Sequence, residues 1–157
     1  MIQRIQTVWL LVAAIILLGL FVFPYVNFID LVGLGKQIYV TGIYSSNNNE
    51  SIRESSSIML AIYAGIVAVV PLALIFLYKN RKQQVLFIIV EIVLIILLGI
   101  WMWGAAHTTL DAINQKLQAG NIGVGFFLLP IGVISLGMAI SGIRKDEKLI
   151  KSADRLR

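Results

Sequence analysis

Residues 85–106 constrain this chain more than any other stretch. They read VLFIIVEIVLIILLGIWMWGAA, twenty-two residues carrying one charge, Glu91. A helix on a water-facing surface needs a polar face, and this run has none. Its length matches what a helix needs to cross a bilayer core of about 30 Å at about 1.5 Å per residue. Three further runs have the same character, at residues 7–26, 58–78 and 122–143. The sequence therefore predicts an antiparallel bundle of four transmembrane helices.

Composition supports one membrane domain over residues 1–157. Only 13% of residues are charged, 59% are hydrophobic, and the mean hydropathy is +0.89. A soluble domain carries about a quarter charged residues. There is no cysteine, so disulfides, thiolate metal sites and cysteine nucleophiles are excluded together.

The connections differ in kind. Residues 27–57 form the long outer loop. Within it, residues 31–44 (LVGLGKQIYVTGIY) are rich in β-branched and aromatic side chains and broken by Gly33, Gly35 and Gly42. They predict one or two short strands, or a small hairpin, capping the helix ends. Residues 45–57 (SSNNNESIRESSS) are expected to be a flexible polar tip. The six residues KNRKQQ at 79–84 make the second and third helices antiparallel neighbours. In HTTLDAINQKLQAGN, residues 107–121, the helical spacing of Leu110, Ile113 and Leu117 predicts that the third helix continues outward or folds back on the surface, ending at Gly120. Small residues at helical spacing (Ala61, Gly65 and Ala68; Gly137 and Ser141) mark faces where helices can approach closely.

Charge sets orientation. Ten of the thirteen basic residues (Arg4, Lys79, Arg81, Lys82, Arg144, Lys145, Lys148, Lys151, Arg155 and Arg157) fall at the termini and the 79–84 loop. Lys36, Arg53 and Lys116 fall on the other side. The positive-inside rule then puts both termini in the cytoplasm.

Candidate sites are few. Glu91 lies about 10 Å of helix from the cytoplasmic end of its span, where it serves either as a proton or cation site or as a structural acid bonded to Ser135, Ser141, Arg4 or Lys82. His107 and Asp111 are four apart, two ligands where a metal needs at least a third, from Asp30, Glu50 or Glu54. No metal or cofactor is expected. One histidine, no P-loop and no buried carboxylate pair leave no catalytic set, and the chain is expected not to be an enzyme. In the tail, residues 144–157 (RKDEKLIKSADRLR), a helix would place Arg144, Lys148, Lys151 and Arg155 in one stripe opposite Leu149, Ile150, Ala153 and Leu156. That arrangement favours an apolar face docked on protein and a basic face free for an acidic partner, with anionic lipid as the alternative. Nucleic acid is not expected as a partner.

The start MIQRIQTVWLLVA, the segment GVGFFLLP at 123–130 and the end GIRKDEKLIKSADRLR resemble a bacterial family of small four-span inner-membrane proteins of unknown function. The resemblance implies four spans in a Gram-negative cytoplasmic membrane and supplies no activity. The expected role is an accessory or scaffold subunit of a membrane complex, with a small transporter or ligand-binding protein centred on Glu91 as the alternative.

Overall fold

In a computed structural model, the structure describes residues 3–31, 33–47, 50–77 and 80–154. Four helices carry a small sheet at one end: α1 (Gln3–Leu18), α2 (Ile58–Ile75), α3 (Arg81–Asp111) and α4 (Val124–Asp154). Three of them, α2, α3 and residues Val124–Leu149 of α4, are long and apolar enough to cross a membrane. The apolar helix made by α1 and the 3-10 turn that follows it, Ile5–Phe21, is shorter.

Each helix buries one narrow stripe. On α3 the buried positions are Gln84, Ile88, Glu91, Ile95, Leu98, Met102, Ala106 and Leu110, three or four apart throughout. They meet Leu10, Ala13 and Leu17 of α1, Ala64, Val67 and Ala68 of α2, and Leu136, Ala139 and Ile143 of α4 in one core. The close approach of α1 to α4 comes at Gly132 and Gly142. A Cβ would lie 3.2 Å from Leu17 at the first and 3.8 Å from Gln6 at the second. At Gly137 it would meet nothing, so the expected stripe of Gly137 and Ser141 is not where α4 makes its close contact.

Helix ends depart from the sequence reading for local reasons. The first helix stops at Phe21 instead of running to residue 26. Pro24 disfavours helical backbone at Phe23, and the Tyr25 N–H is already committed to the Ile38 carbonyl at 2.9 Å. The third helix passes His107 and stops at Asp111, well before Gly120. Asn114 reverses the chain with φ +55°, a left-handed conformation that asparagine tolerates better than most residues. Gly120 sits inside a later 3-10 turn, Ala119–Asn121. The tail is not a separate segment, because α4 runs through to Asp154 without a break.

The outer segment is a four-stranded antiparallel meander, β1 (Val26–Ile29), β2 (Gly35–Tyr39), β3 (Gly42–Asn47) and β4 (Glu50–Ser56), in that order across the sheet. Val26 and Phe28 alternate inward with Asn27 and Ile29 outward, and with Ile38 and Val40 they join the helix core. The expected flexible tip at 45–57 is therefore mostly strand, Ser45 pairing Ile52 and Asn47 pairing Glu50. Its polarity misled because an edge strand needs only backbone partners on one side and is safest when polar. Gly42, at φ +149°, turns β2 into β3; a Cβ there would lie 2.1 Å from the Ser55 carbonyl oxygen.

The start of α4 seats on the chain leaving the first helix. The Gly123 and Gly125 N–H groups donate to the Tyr25 and Pro24 carbonyls at 2.8 and 2.9 Å. A Cβ at Gly123 would lie 2.4 Å from the Pro24 oxygen, and one at Gly125 2.6 Å from that of Phe23. Backbone cannot yield at that range as a flexible side chain would. Gly123→Ala is expected to destabilise the fold by roughly 1–3 kcal/mol, the usual cost of overpacking, read as a lowered thermal midpoint in detergent. Gly137→Ala, with open space around it, should leave the midpoint where it is.

Candidate functional site

Glu91 is drawn into the interior by its phase on the α3 stripe and is 0% exposed. Neither carboxylate oxygen has a hydrogen-bond partner among the described residues. The grouping expected with Ser135 and Ser141 does not form. Ser135 donates to the Ile131 carbonyl and Ser141 to that of Gly137, each at 3.0 Å, and the Ser141 side chain is exposed. Both serines return to their own helix four residues back, a local bond always within reach of a helical hydroxyl. Lys82 is exposed, and the Arg4 side chain lies outside the description. In the antiparallel α3–α4 pair Gly99 faces Leu129, so Glu91, eight residues on, falls at the level of Gly137. Across from it, the Tyr63 hydroxyl on α2 donates to the Leu94 carbonyl at 3.1 Å, within the electrostatic reach of Glu91. A buried ion without a partner is far more costly than a buried amide. Two acceptor oxygens in this position therefore call for a proton or a cation.

Three further polar side chains share the buried stripes, and sequence reasoning passed over all of them. Gln84, seven residues before Glu91, is 1% exposed; Gln6 on α1 is 2% and Asp146 on α4 is 5% exposed. Gln84 donates to the Leu74 carbonyl at 3.0 Å, but its Oε1, Gln6 Oε1 and Asp146 Oδ1 lack partners among the described residues. Their signal was helical phase. Gln84 lies two turns from Glu91, and Asp146 continues the spacing of Leu136, Ala139 and Ile143. All three lie toward the end that holds the termini and the α2–α3 turn.

In the tail, Arg144, Lys145 and Lys148 are exposed while Ile143 and Asp146 are buried. Leu149, expected on a docked apolar face, is 48% exposed. Lys151 falls within α4, and Arg155 lies outside the described residues.

At the sheet end, a cleft of about 940 Å³ opens between β1, β2 and the α3–α4 connector. Six carboxamides line it: Asn27, Gln37, Asn114, Gln115, Gln118 and Asn121. Its walls are tied together by Gln115, which donates to the Ile29 carbonyl at 2.9 Å, and by a bridge between Val26 and Ile122. Lys36 at its edge is held by Asp30 and Glu54, each at 2.7 Å. Hydrogen bonding to Lys36 keeps the Asp30 carboxyl below the usual carboxylate range and pushes the Lys36 ammonium above the usual lysine value. Of the pair His107 and Asp111, the His107 ring packs edge-on against Trp103, with centroids 5.2 Å apart. Among the described residues no three His, Asp or Glu converge as a metal site.

Compared with curated proteins, the chain gives no match. A family model does match it, and over nearly its whole length, so that the helices, the sheet and the basic continuation of α4 all fall within one family unit. With residues 2–156 matched, the chain belongs to the DUF4293 family, a domain of unknown function.

Proposed function

We propose that this chain is an integral protein of a bacterial inner membrane that crosses it four times, with both termini cytoplasmic and the sheet outside. Its role is that of a non-catalytic accessory or scaffold subunit of a membrane protein complex. Support for the membrane setting comes from the helix surfaces. In the most apolar part of α3 only 28% of residues are buried within the chain, and Leu86, Ile89, Val93, Ile96, Ile100 and Trp101 face outward. Water does not tolerate an apolar surface on that scale, whereas lipid does. The first helix, 17 residues with its 3-10 turn, is at the short end of what spans a bilayer, and its packing along α4 compensates.

One observation carries the scaffold reading: α4 is a single helix of 31 residues whose last turns extend the packed stripe while turning Arg144, Lys145 and Lys148 outward. A rigid, basic extension of a membrane helix is a docking element for an acidic partner surface. Because Asp146 is buried, truncation would disturb packing, and charge reversal is the cleaner test. Replacing Arg144, Lys145 and Lys148 together by Glu should leave membrane insertion and the thermal midpoint unchanged. It should abolish the recovery of a stoichiometric partner in a mild-detergent pull-down. Unchanged recovery would remove the tail from the account.

A second reading rests on Glu91. Its fully buried carboxyl oxygens, without a hydrogen-bond partner among the described residues, fit a proton or cation site inside a small transporter or ligand-binding membrane protein. Glu91→Gln keeps the shape of the side chain and removes the ionisable group. On this reading it eliminates the cellular phenotype that a null mutant reveals while protein level and partner recovery stay normal. Full complementation by Glu91→Gln would return Glu91 to a purely structural role.

A further inference from the structure

The cleft beside the sheet belongs neither to the tail nor to Glu91, and its chemistry is specific. Its volume, about 940 Å³, lies within the roughly 300–1,000 Å³ of small-molecule sites. Among the described residues no carboxylate lines it directly; the two at its edge, Asp30 and Glu54, are both engaged by Lys36. Of its six carboxamides, Gln115 is used in bonding Ile29, and Gln37 accepts the Tyr39 hydroxyl at 2.9 Å. Among the described residues no side-chain hydrogen bond engages Asn27, Asn114, Gln118 or Asn121, and each offers a donor and an acceptor together. Hydroxyl groups, which also donate and accept, are their natural counterparts. Pro24 and Ile29, the latter 65% exposed, add an apolar wall for the C–H face of a ring.

Charge narrows the ligand further. Lys36 is held by two carboxylates, Asp30 and Glu54, so its own charge is taken up and the trio leaves a net negative charge on the β2 wall of the cleft. Lys116 is exposed and forms no ion pair among the described residues. Among the described residues the connector wall thus offers one unpaired ammonium, Lys116, enough for a single carboxylate, while the excess negative charge beside Lys36 on the β2 wall disfavours a polyanion. A peptide adding as a strand is also disfavoured. The free edge of β1 is already occupied by Ile122 through its bridge to Val26, by the Gly123 N–H on Tyr25 and by Gln115 on Ile29.

From this geometry we propose that the cleft binds an acidic saccharide, its hydroxyls held by the carboxamides and its carboxylate by Lys116. The same chemistry is offered by a free oligosaccharide and by the sugar headgroup of a glycolipid.

The test uses full-length protein in lipid nanodiscs, probed with two- to four-ring oligosaccharides containing glucuronic acid and with matched neutral glucose oligosaccharides. The same acidic sugars attached to a lipid in the disc form the second arm. The acidic sugars should bind about tenfold more tightly than the neutral ones, the scale of one hydrogen bond to a charged group. Lys116→Gln should erase that preference and change neutral-sugar binding less than about twofold. Gln118→Ala with Asn121→Ala should weaken both by about tenfold, while Asn114 is left in place for its left-handed turn. All these positions are solvent-facing or nearly so, and an unchanged thermal midpoint confirms that the variants fold. Binding in solution identifies a free sugar; binding only in the lipid-linked arm identifies a headgroup. No retention in either arm, or an acid preference untouched by Lys116→Gln, overturns the proposal.

Discussion

Everything at the sheet end depends on one backbone contact, the seating of Gly123 and Gly125 on the carbonyls of residues 23–25. Two N–H groups at the beginning of α4, which have no partner within the helix, find carbonyls released where the first helix has ended. The same short stretch then becomes β1. First helix, sheet and last helix are thereby fixed to each other at one point. Further along, Gly132 and Gly142 let α1 lie close on α4 for the rest of its length. In the membrane setting proposed for this chain there is no hydrophobic driving force between helices, and such close backbone approach would supply much of the attraction. The segment GVGFFLLP, which carries part of the family resemblance, has a mechanical role here: its two glycines are the only side chains the seat admits.

Much of this was legible in the sequence, and the failures were local. Apolar run length found the long helices because almost nothing else produces about twenty residues in a row with at most one charge. Helix ends were less legible. The first span was read past Pro24 to residue 26 because the claim of the sheet on Tyr25 and Val26 is a tertiary fact. The third helix was expected to fade at Gly120, yet Asn114 took the left-handed position. Polar composition read as flexibility at 45–57, where strand pairing to β3 satisfies the backbone whatever the side chains are.

The interior polar groups teach the same lesson more sharply. Glu91 stood out because it was the one charge in its run, and Ser135 and Ser141 on the fourth helix were offered as its partners. Local bonds to Ile131 and Gly137 won instead, since a serine in a helix always has the carbonyl four residues back within reach. Gln6, Gln84 and Asp146 looked like ordinary polar residues near a helix end. Counting phase along each stripe would have found all three. The tail shows both sides: of the stripe read as basic, Arg144 and Lys148 are exposed, with the Lys151 side chain and Arg155 outside the description, while Asp146 among them is turned inward.

The absence of cysteine makes the proposed topology directly measurable, since any introduced thiol is the only one in the chain. Single cysteines would be placed at Ser55 in the sheet, at Lys82 at the start of α3 and at Lys148 in the basic turns of α4, all exposed positions. A thiol reagent that cannot cross membranes is then applied to intact spheroplasts and to lysed ones. Four crossings with both termini inside require labelling at residue 55 in intact cells and at 82 and 148 only after lysis. Labelling of all three from one side, or of 82 and 148 from opposite sides, would contradict the four-span arrangement on which the scaffold reading depends.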